Sequence, residues 1–440
     1  MCKGAPYESL TAVSESARYR TRMSNTSRFA LALAIAAGCL AAVTISLSAD
    51  GTPSREELDA LFARYDRESD GPARDRLAAR IDALAHQKYA TVSRLYWYTD
   101  LESARTAARE HGRPILHLRL LGRLDEDLSC ANSRLFRATL YANQDVSRLL
   151  RERFILYWSS ERPVPRVTID YGDGRRLERT TTGNSAHYVL DEDGHVIDVL
   201  PGLYAPTAFR RELEGSLALA ARVRGLPDEE RANRLVEYHE QHVIAAQQDW
   251  ERLAATARTP AMSRLLMQPR SESPVAAAQR TTMTKAVMEL KDLRVIGKGL
   301  APEAVPEDEI ETWAAVGRGL YGIRSLKTAA PSLLDDASRA LIVRLHNSVP
   351  GEMRASGGQI DAMIARLEQT IVADSALNQL RLRPQIGREI VRRGGRIDFA
   401  TLNAWIYAEV FRTPKQDAWL GLLPRDVFTG VPGDGVVMRK

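Results

Sequence analysis

Apolar and polar positions change their rhythm along the chain, and each rhythm predicts a different kind of element. Phe29 to Leu47 (FALALAIAAGCLAAVTISL) carries no charge over nineteen residues. Residues 50–90 are polar, with apolar positions at Leu58, Leu61, Phe62 and at Leu77, Ile81, Leu84, the spacing of helices with one buried stripe. They read as a helical spacer, folded as a hairpin or stalk.

From Tyr96 helix and strand signals alternate. Thr99 and Glu102 have capping-box spacing and predict a helix through Arg109 that stops at His111-Gly112. Ile115 to Leu121 is an apolar run of strand length. A polar loop, Gly122 to Ser129, leads to Cys130 at the start of the next helical stretch. A helix over 145–153 and a strand over 154–158 follow. Val167–Thr180 and Tyr188–Val199 read as hairpins that turn at Gly172-Asp173-Gly174 and Glu192-Asp193-Gly194. Pro206 to Arg222 closes the region as a helix. A βαβ unit followed by ββα predicts an α/β sandwich with a mixed central sheet over residues 91–225.

Beyond Pro227 the strand signals stop. Helical periods run over Pro227–Ala257, Glu307–Leu320, Ser332–His346, Gln359–Val372, Pro384–Arg393 and Phe399–Phe411, with Pro269–Pro274 and Ser356-Gly357-Gly358 as loops. The fold class is therefore α/β plus all-α, with an all-helical domain over 226–440. No repeat of fixed period and no low-complexity tract is present.

Composition supports a folded protein: 440 residues are 44% hydrophobic and 27% charged, enough for more than one ordinary core. The net charge of +5 rests on abundant arginine spread along the chain, without a basic stripe interleaved with aromatics, so no nucleic-acid partner is expected. Residues 1–49 read as a signal peptide or membrane anchor. Arg18, Arg20, Arg22 and Arg28 precede the apolar run and Asp50, Glu56, Glu57 and Asp59 follow it. That asymmetry predicts an exported body, periplasmic or membrane-anchored. Met23 would give the shorter leader. Ala36-Ala37-Gly38-Cys39 resembles a bacterial lipobox and makes Cys39 a candidate for lipidation, although Ala36 stands where leucine is usual; cleavage near Ser48-Ala49 and an uncleaved anchor are the other readings.

That topology leaves Cys130 as the one thiol of the exported body, so no intramolecular disulfide is expected there. Gly112-Arg113-Pro114-Ile115-Leu116, the helix start at Cys130 and the spacing onward to Phe154-Ile155 and the last hairpin resemble the thioredoxin superfamily, over about a quarter of the chain. The resemblance implies a thioredoxin-like αβα sandwich, with Cys130 in the place of the attacking cysteine. Ser133, in Cys130-Ala131-Asn132-Ser133, takes the place of the resolving one. Ser185 falls where that family has a cis-proline. A non-proline cis bond costs several kcal/mol, so a reshaped trans loop is expected there. By the same resemblance Asn184 and Ser185 would line the peptide-binding edge, and His187 would lie near Cys130 as base or hydrogen-bond partner.

A dithiol exchange needs a second thiolate to release the mixed disulfide, and Ser133 has none to offer. The expected function is therefore a protein-binding module for a protein partner or client, without dithiol turnover. A monothiol oxidoreductase or redox sensor using Cys130 is the alternative, since a helix N-terminus favours a thiolate. Oligomeric state is not specified by the sequence. Neither a cofactor nor a metal is expected. His239 and His242 lack zincin spacing and read as part of a solvated helix face. Asp170, Asp173, Asp191, Glu192 and Asp193 read as turn carboxylates. Trp405, Tyr407, Phe411 and Trp419 read as core packing. No nucleotide-binding loop, hydrolase elbow or heme-attachment signature is present.

Overall fold

A computed structural model of the chain describes residues 55–256, 274–296, 306–323, 333–348 and 355–420, with Leu422 and Val431. The apolar run at 29–47, Cys39, Cys2, Met23, Ser48-Ala49 and most of the loop at 269–274 lie outside the described residues. Among the described residues no helix is long and apolar enough to cross a membrane.

The polar spacer forms α1 (Arg55–Arg67) and α2 (Pro72–Leu84), which pack on each other across the turn at Gly71. Their apolar stripes supply Leu58, Leu61, Phe62 and Ile81 to a small core completed by Ala85 and Ala90. After the short α3 (Ala90–Ser93) comes α4 (Leu101–His111). Its N-cap is Asp100, whose side chain accepts from the Ser103 N–H, and not the expected Thr99. Gly112 ends the helix in the left-handed region, as its position predicts.

The main sheet contains β1 (Ile115–Leu121), β2 (Ile155–Arg162), β5 (Ala186–Leu190) and β6 (Val196–Pro201) in the order β2-β1-β5-β6. β1 runs parallel to β2, while β5 is antiparallel to both β1 and β6. A parallel pair needs a crossover. Here it is α5 (Ala131–Leu135), which continues as a π-helical turn over Phe136–Leu140, and then α6 (Gln144–Arg153). The two expected hairpins separate in space: β5–β6 belongs to the sheet, whereas β3 (Arg166–Asp170) and β4 (Arg176–Thr180) form a ribbon of their own. The ribbon turns Arg166, Thr168, Asp170, Arg176 and Glu178 to solvent and keeps Val167, Ile169 and Leu177 half-buried. The fold is thus mixed α/β with a four-stranded mixed sheet and many helices.

α7 (Pro206–Val223) and α8 (Asp228–Thr256) follow the sheet. Two helices outside the expected helical segments come next, α9 (Pro274–Gln279) and α10 (Met283–Ile296). Then follow α11 (Glu307–Tyr321), α12 (Asp336–His346) and α13 (Gly357–Leu377). α13 passes through a π-helical turn at Asn378–Leu382 into α14 (Arg383–Arg392), and α15 (Phe399–Trp405) ends in another at Ile406–Val410. Ser356-Gly357-Gly358, expected as a loop, is the start of α13. Ser356 caps it, and Gln359 reaches back to the Ser356 N–H.

The helices after Pro227 enter the core of the sheet. Trp313, Ile371, Ile386, Tyr407 and Phe411 lie in one continuous cluster with Leu116, Leu118 and Leu200. A buried ionic junction reinforces this contact. Arg383 of α14 pairs with Asp198 of β6 at 2.5 Å and with Glu212 of α7. Asp198 also accepts from the hydroxyls of Ser216 at 2.7 Å and Tyr238 at 3.2 Å. Burial alone would raise the Asp198 carboxyl; Arg383, His239, His242 and the Ser216 bond outweigh it and hold it at about 2.

Candidate functional site

The turn after β1 places Cys130 as the N-cap of α5, with its N–H bonded back to the Leu121 carbonyl. Arg137, buried beneath the loop, gathers it by donating to the carbonyls of Leu124, Glu126 and Asp127 and to the Ser129 hydroxyl. The thiol this produces is sealed: Cys130 is 0% exposed. Its Sγ stands 3.4 Å from Ser133 Oγ and 3.0 Å from Ser185 Oγ. Ser133 is already engaged, with its Oγ 2.7 Å from Ser129 Oγ and 2.9 Å from the Cys130 carbonyl oxygen.

Thr181 to Ser185, the segment entering β5, closes over the sulfur. Gly183 has its Cα against Cys130, where any added Cβ would overlap the cysteine's own Cβ. Asn184, 0% exposed, does not touch the thiol. Its side-chain oxygen accepts from Lys285 Nζ at 2.7 Å and from Asn132 Nδ2 at 3.5 Å. Its backbone carbonyl accepts from the Tyr407 hydroxyl at 3.1 Å.

His187 occupies a different side of the site. Its Nε2 lies 2.6 Å from the Tyr141 hydroxyl, and the rings of Phe136 and Phe209 flank it. It bonds Tyr141, not the thiol. Burial lowers His187 to about 3, so the ring is neutral at ordinary pH, and burial together with Cys130 raises Tyr141 well above its usual value. Cys130, Ser133 and Ser185 are thus brought into contact, while Asn184 and His187 adjoin that contact through other partners.

The unexpected helix α10 supplies residues that apolar patterning does not flag. Lys285 is fully buried, with Nζ bonded to Asn184 and to the Ala278 carbonyl at 2.9 Å. Burial lowers its ammonium to about 8, against the opposing pull of Glu289, Cys130 and Asp374. Glu289, one turn later, accepts at Oε2 from Thr181 Oγ1, Thr182 N and Gln279 Nε2. Burial raises its carboxyl. The start of α10 is capped from a distance: Asp374 of α13 accepts from Met283 N, Thr284 N and Thr284 Oγ1. The signals for this helix are apolar residues at helical spacing, Met283, Ala286, Val287, Leu290 and Leu293, and the pair Lys285 and Glu289 at i, i+4.

The remaining candidates are structural. His239, expected on a solvated face, is buried with Nε2 3.0 Å from the Ile197 carbonyl, and His242 stacks edge-on against Tyr238. Both face the Asp198–Arg383 junction, which draws α8 inward. Asp170 and Asp191 bond their own turn amides at Gly172, Asp193 and His195. Tyr407 and Phe411 are core, whereas Trp419 is 41% exposed. Among the described residues no group of three or more His, Cys, Asp or Glu side chains is placed to hold a metal ion.

No protein-family model matches the chain, and neither does any curated protein or solved structure.

Proposed function

We propose that this is an exported or membrane-anchored thioredoxin-like protein whose thiol is structural, and which works as a protein-binding module without dithiol turnover. Support comes from the order of elements: a strand, a helix opened by cysteine, a parallel strand, and a closing antiparallel hairpin and helix. The segment before that hairpin meets the cysteine, as the resemblance implies. One observation carries the functional part. The thiol is enclosed between Ser133 and Ser185, and the hydroxyl where a resolving sulfur would stand is bound to Ser129 and to backbone.

Monothiol exchange through Cys130 is the second reading, favoured by one feature: Arg134, Arg137 and Lys285 all lie within charge range of the sulfur. Alkylation of the folded chain separates the two. Under the binding reading Cys130 is labelled only after denaturation, and Cys130→Ala leaves partner capture unchanged on non-reducing gels. Rapid labelling of the folded protein, or a covalent adduct lost in Cys130→Ala, sinks it.

A further inference from the structure

The side chains of Lys285 and Asn184 meet in the interior. An amine, a carboxamide and a carboxyl group, those of Lys285, Asn184 and Glu289, are 0%, 0% and 2% exposed. Nζ sits 2.7 Å from Asn184 Oδ1, the oxygen bonded to the acyl carbon that it would attack. We propose that Lys285 and Asn184 join in an intramolecular isopeptide bond beside the buried carboxyl group of Glu289.

The step balances without an oxidant or a cofactor. The Nζ lone pair attacks Asn184 Cγ, and the Nζ–Cγ bond forms. A proton leaves Nζ and is delivered to Nδ2, the Cγ–Nδ2 bond breaks, and ammonia departs. Each part has a candidate in place. Burial lowers Lys285, which supplies neutral amine. The Asn132 amide donates to Asn184 Oδ1, where negative charge develops on attack. The leaving nitrogen is oriented by the Ala278 carbonyl at 3.4 Å. Glu289 is anchored through Oε2 by Thr181, Thr182 and Gln279, while Oε1 is buried with no hydrogen-bond partner among the described residues. Neither oxygen is within ion-pair distance of Nζ, so Glu289 acts through its charge on the positive charge that develops at Nζ, and the proton passes from Nζ to Nδ2 beside the Ala278 carbonyl that both nitrogens contact. Burial of all three groups also keeps water from competing for the acyl carbon.

The product ties the segment over Cys130 to α10, across 101 residues. It gives a body with one thiol the cross-link that a disulfide cannot provide. This inference is independent of whether the thiol is structural or reactive.

Mass spectrometry of the purified, folded full chain tests it. After incubation at about pH 9, where Lys285 is mostly neutral, the intact mass should be about 17 Da below that of the sequence, the mass of the ammonia released. Trypsin should leave a branched peptide joining Thr180–Arg210 to Thr281–Lys291, uncut after Lys285. Lys285→Met should show the full mass, and Glu289→Gln, which preserves shape, should form the bond at least ~100-fold more slowly. Complete cleavage after Lys285 in the wild-type chain overturns the proposal, including where ammonia has been lost from Asn184 alone. Linkage in Glu289→Gln at the wild-type rate overturns the role of Glu289.

Discussion

Gly183 and Cys130 meet with room for a hydrogen and no more: a methyl group on Gly183 would overlap the cysteine's Cβ and stand 3.5 Å from its sulfur. Gly183→Ala should therefore destabilise the protein by about 1–3 kcal/mol through overpacking. The double variant Gly183→Ala with Cys130→Gly, which removes the Cβ it strikes, should recover part of that loss. Urea unfolding of the singles and the double measures the coupling, and additive effects would contradict the contact.

Arg383 holds two buried carboxylates, Asp198 and Glu212, on elements that come together only in the folded chain. Arg383→Met should cost about 3–5 kcal/mol, because it leaves those charges buried without their cation. Denaturant titration of the variant gives the figure directly. A loss below about 1 kcal/mol, the value of an exposed pair, would show that the junction is hydrated.

Two buried groups make stability depend on pH in opposite directions. His187 is lowered from 6.5 to about 3 by burial, so as pH falls from 6.5 toward 3 the unfolded chain binds a proton that the folded one refuses. Its neutral state thus favours folding fully above pH 6.5 and progressively less below it. The stability advantage of wild type over His187→Asn should shrink by about 1.4 kcal/mol per pH unit across that range. Asp374 is raised from 3.8 to about 7, chiefly by burial. Its folded carboxyl keeps a proton that the unfolded one has released, so stability is lost as pH rises from 3.8 to 7. Asp374→Asn retains a capping oxygen and should gain on wild type over that interval. Thermal melts at pH 4 and 8 check the sign.

Asp374 is also the N-cap of a helix in another part of the chain. Asp374→Ala should cost about 1–3 kcal/mol, the penalty for leaving the buried amides of Met283 and Thr284 unsatisfied. Amide exchange should show the loss concentrated in 283–296. Uniform loss of protection across the sheet would contradict a local cap.

How much of this was legible follows the local chemistry. β1 was recognisable because its inward residues form an apolar run between Pro114 and Gly122, and both hairpins because glycine sits at their turns. Cys130 at a helix start followed from the polar loop before it. Helix α10 does carry apolar residues at helical spacing, Met283, Ala286 and Leu293, but its buried Lys285 and Glu289 and its cap from Asp374 follow no apolar pattern. His239 was misplaced on the surface because its partner is the backbone carbonyl of Ile197, which no side-chain pattern announces. The start of α13 did carry its signal, Ser356 followed by Gln359, behind two glycines that read as a loop. The separation of the β3–β4 ribbon from the sheet depends on which strand pairs with which, and both hairpins look alike in sequence.

The borrowed cap of α10 also fixes an order of events during synthesis. Met283 is made 91 residues before the carboxylate that receives its N–H. Until α13 has been made, α10 lacks its cap, and the segment over Cys130 lacks a settled Lys285 and Glu289. The segment over the sulfur therefore gains its last hydrogen-bond partners late. A chain cut short of Asp374 would present as an accessible thiol what the finished protein keeps inside.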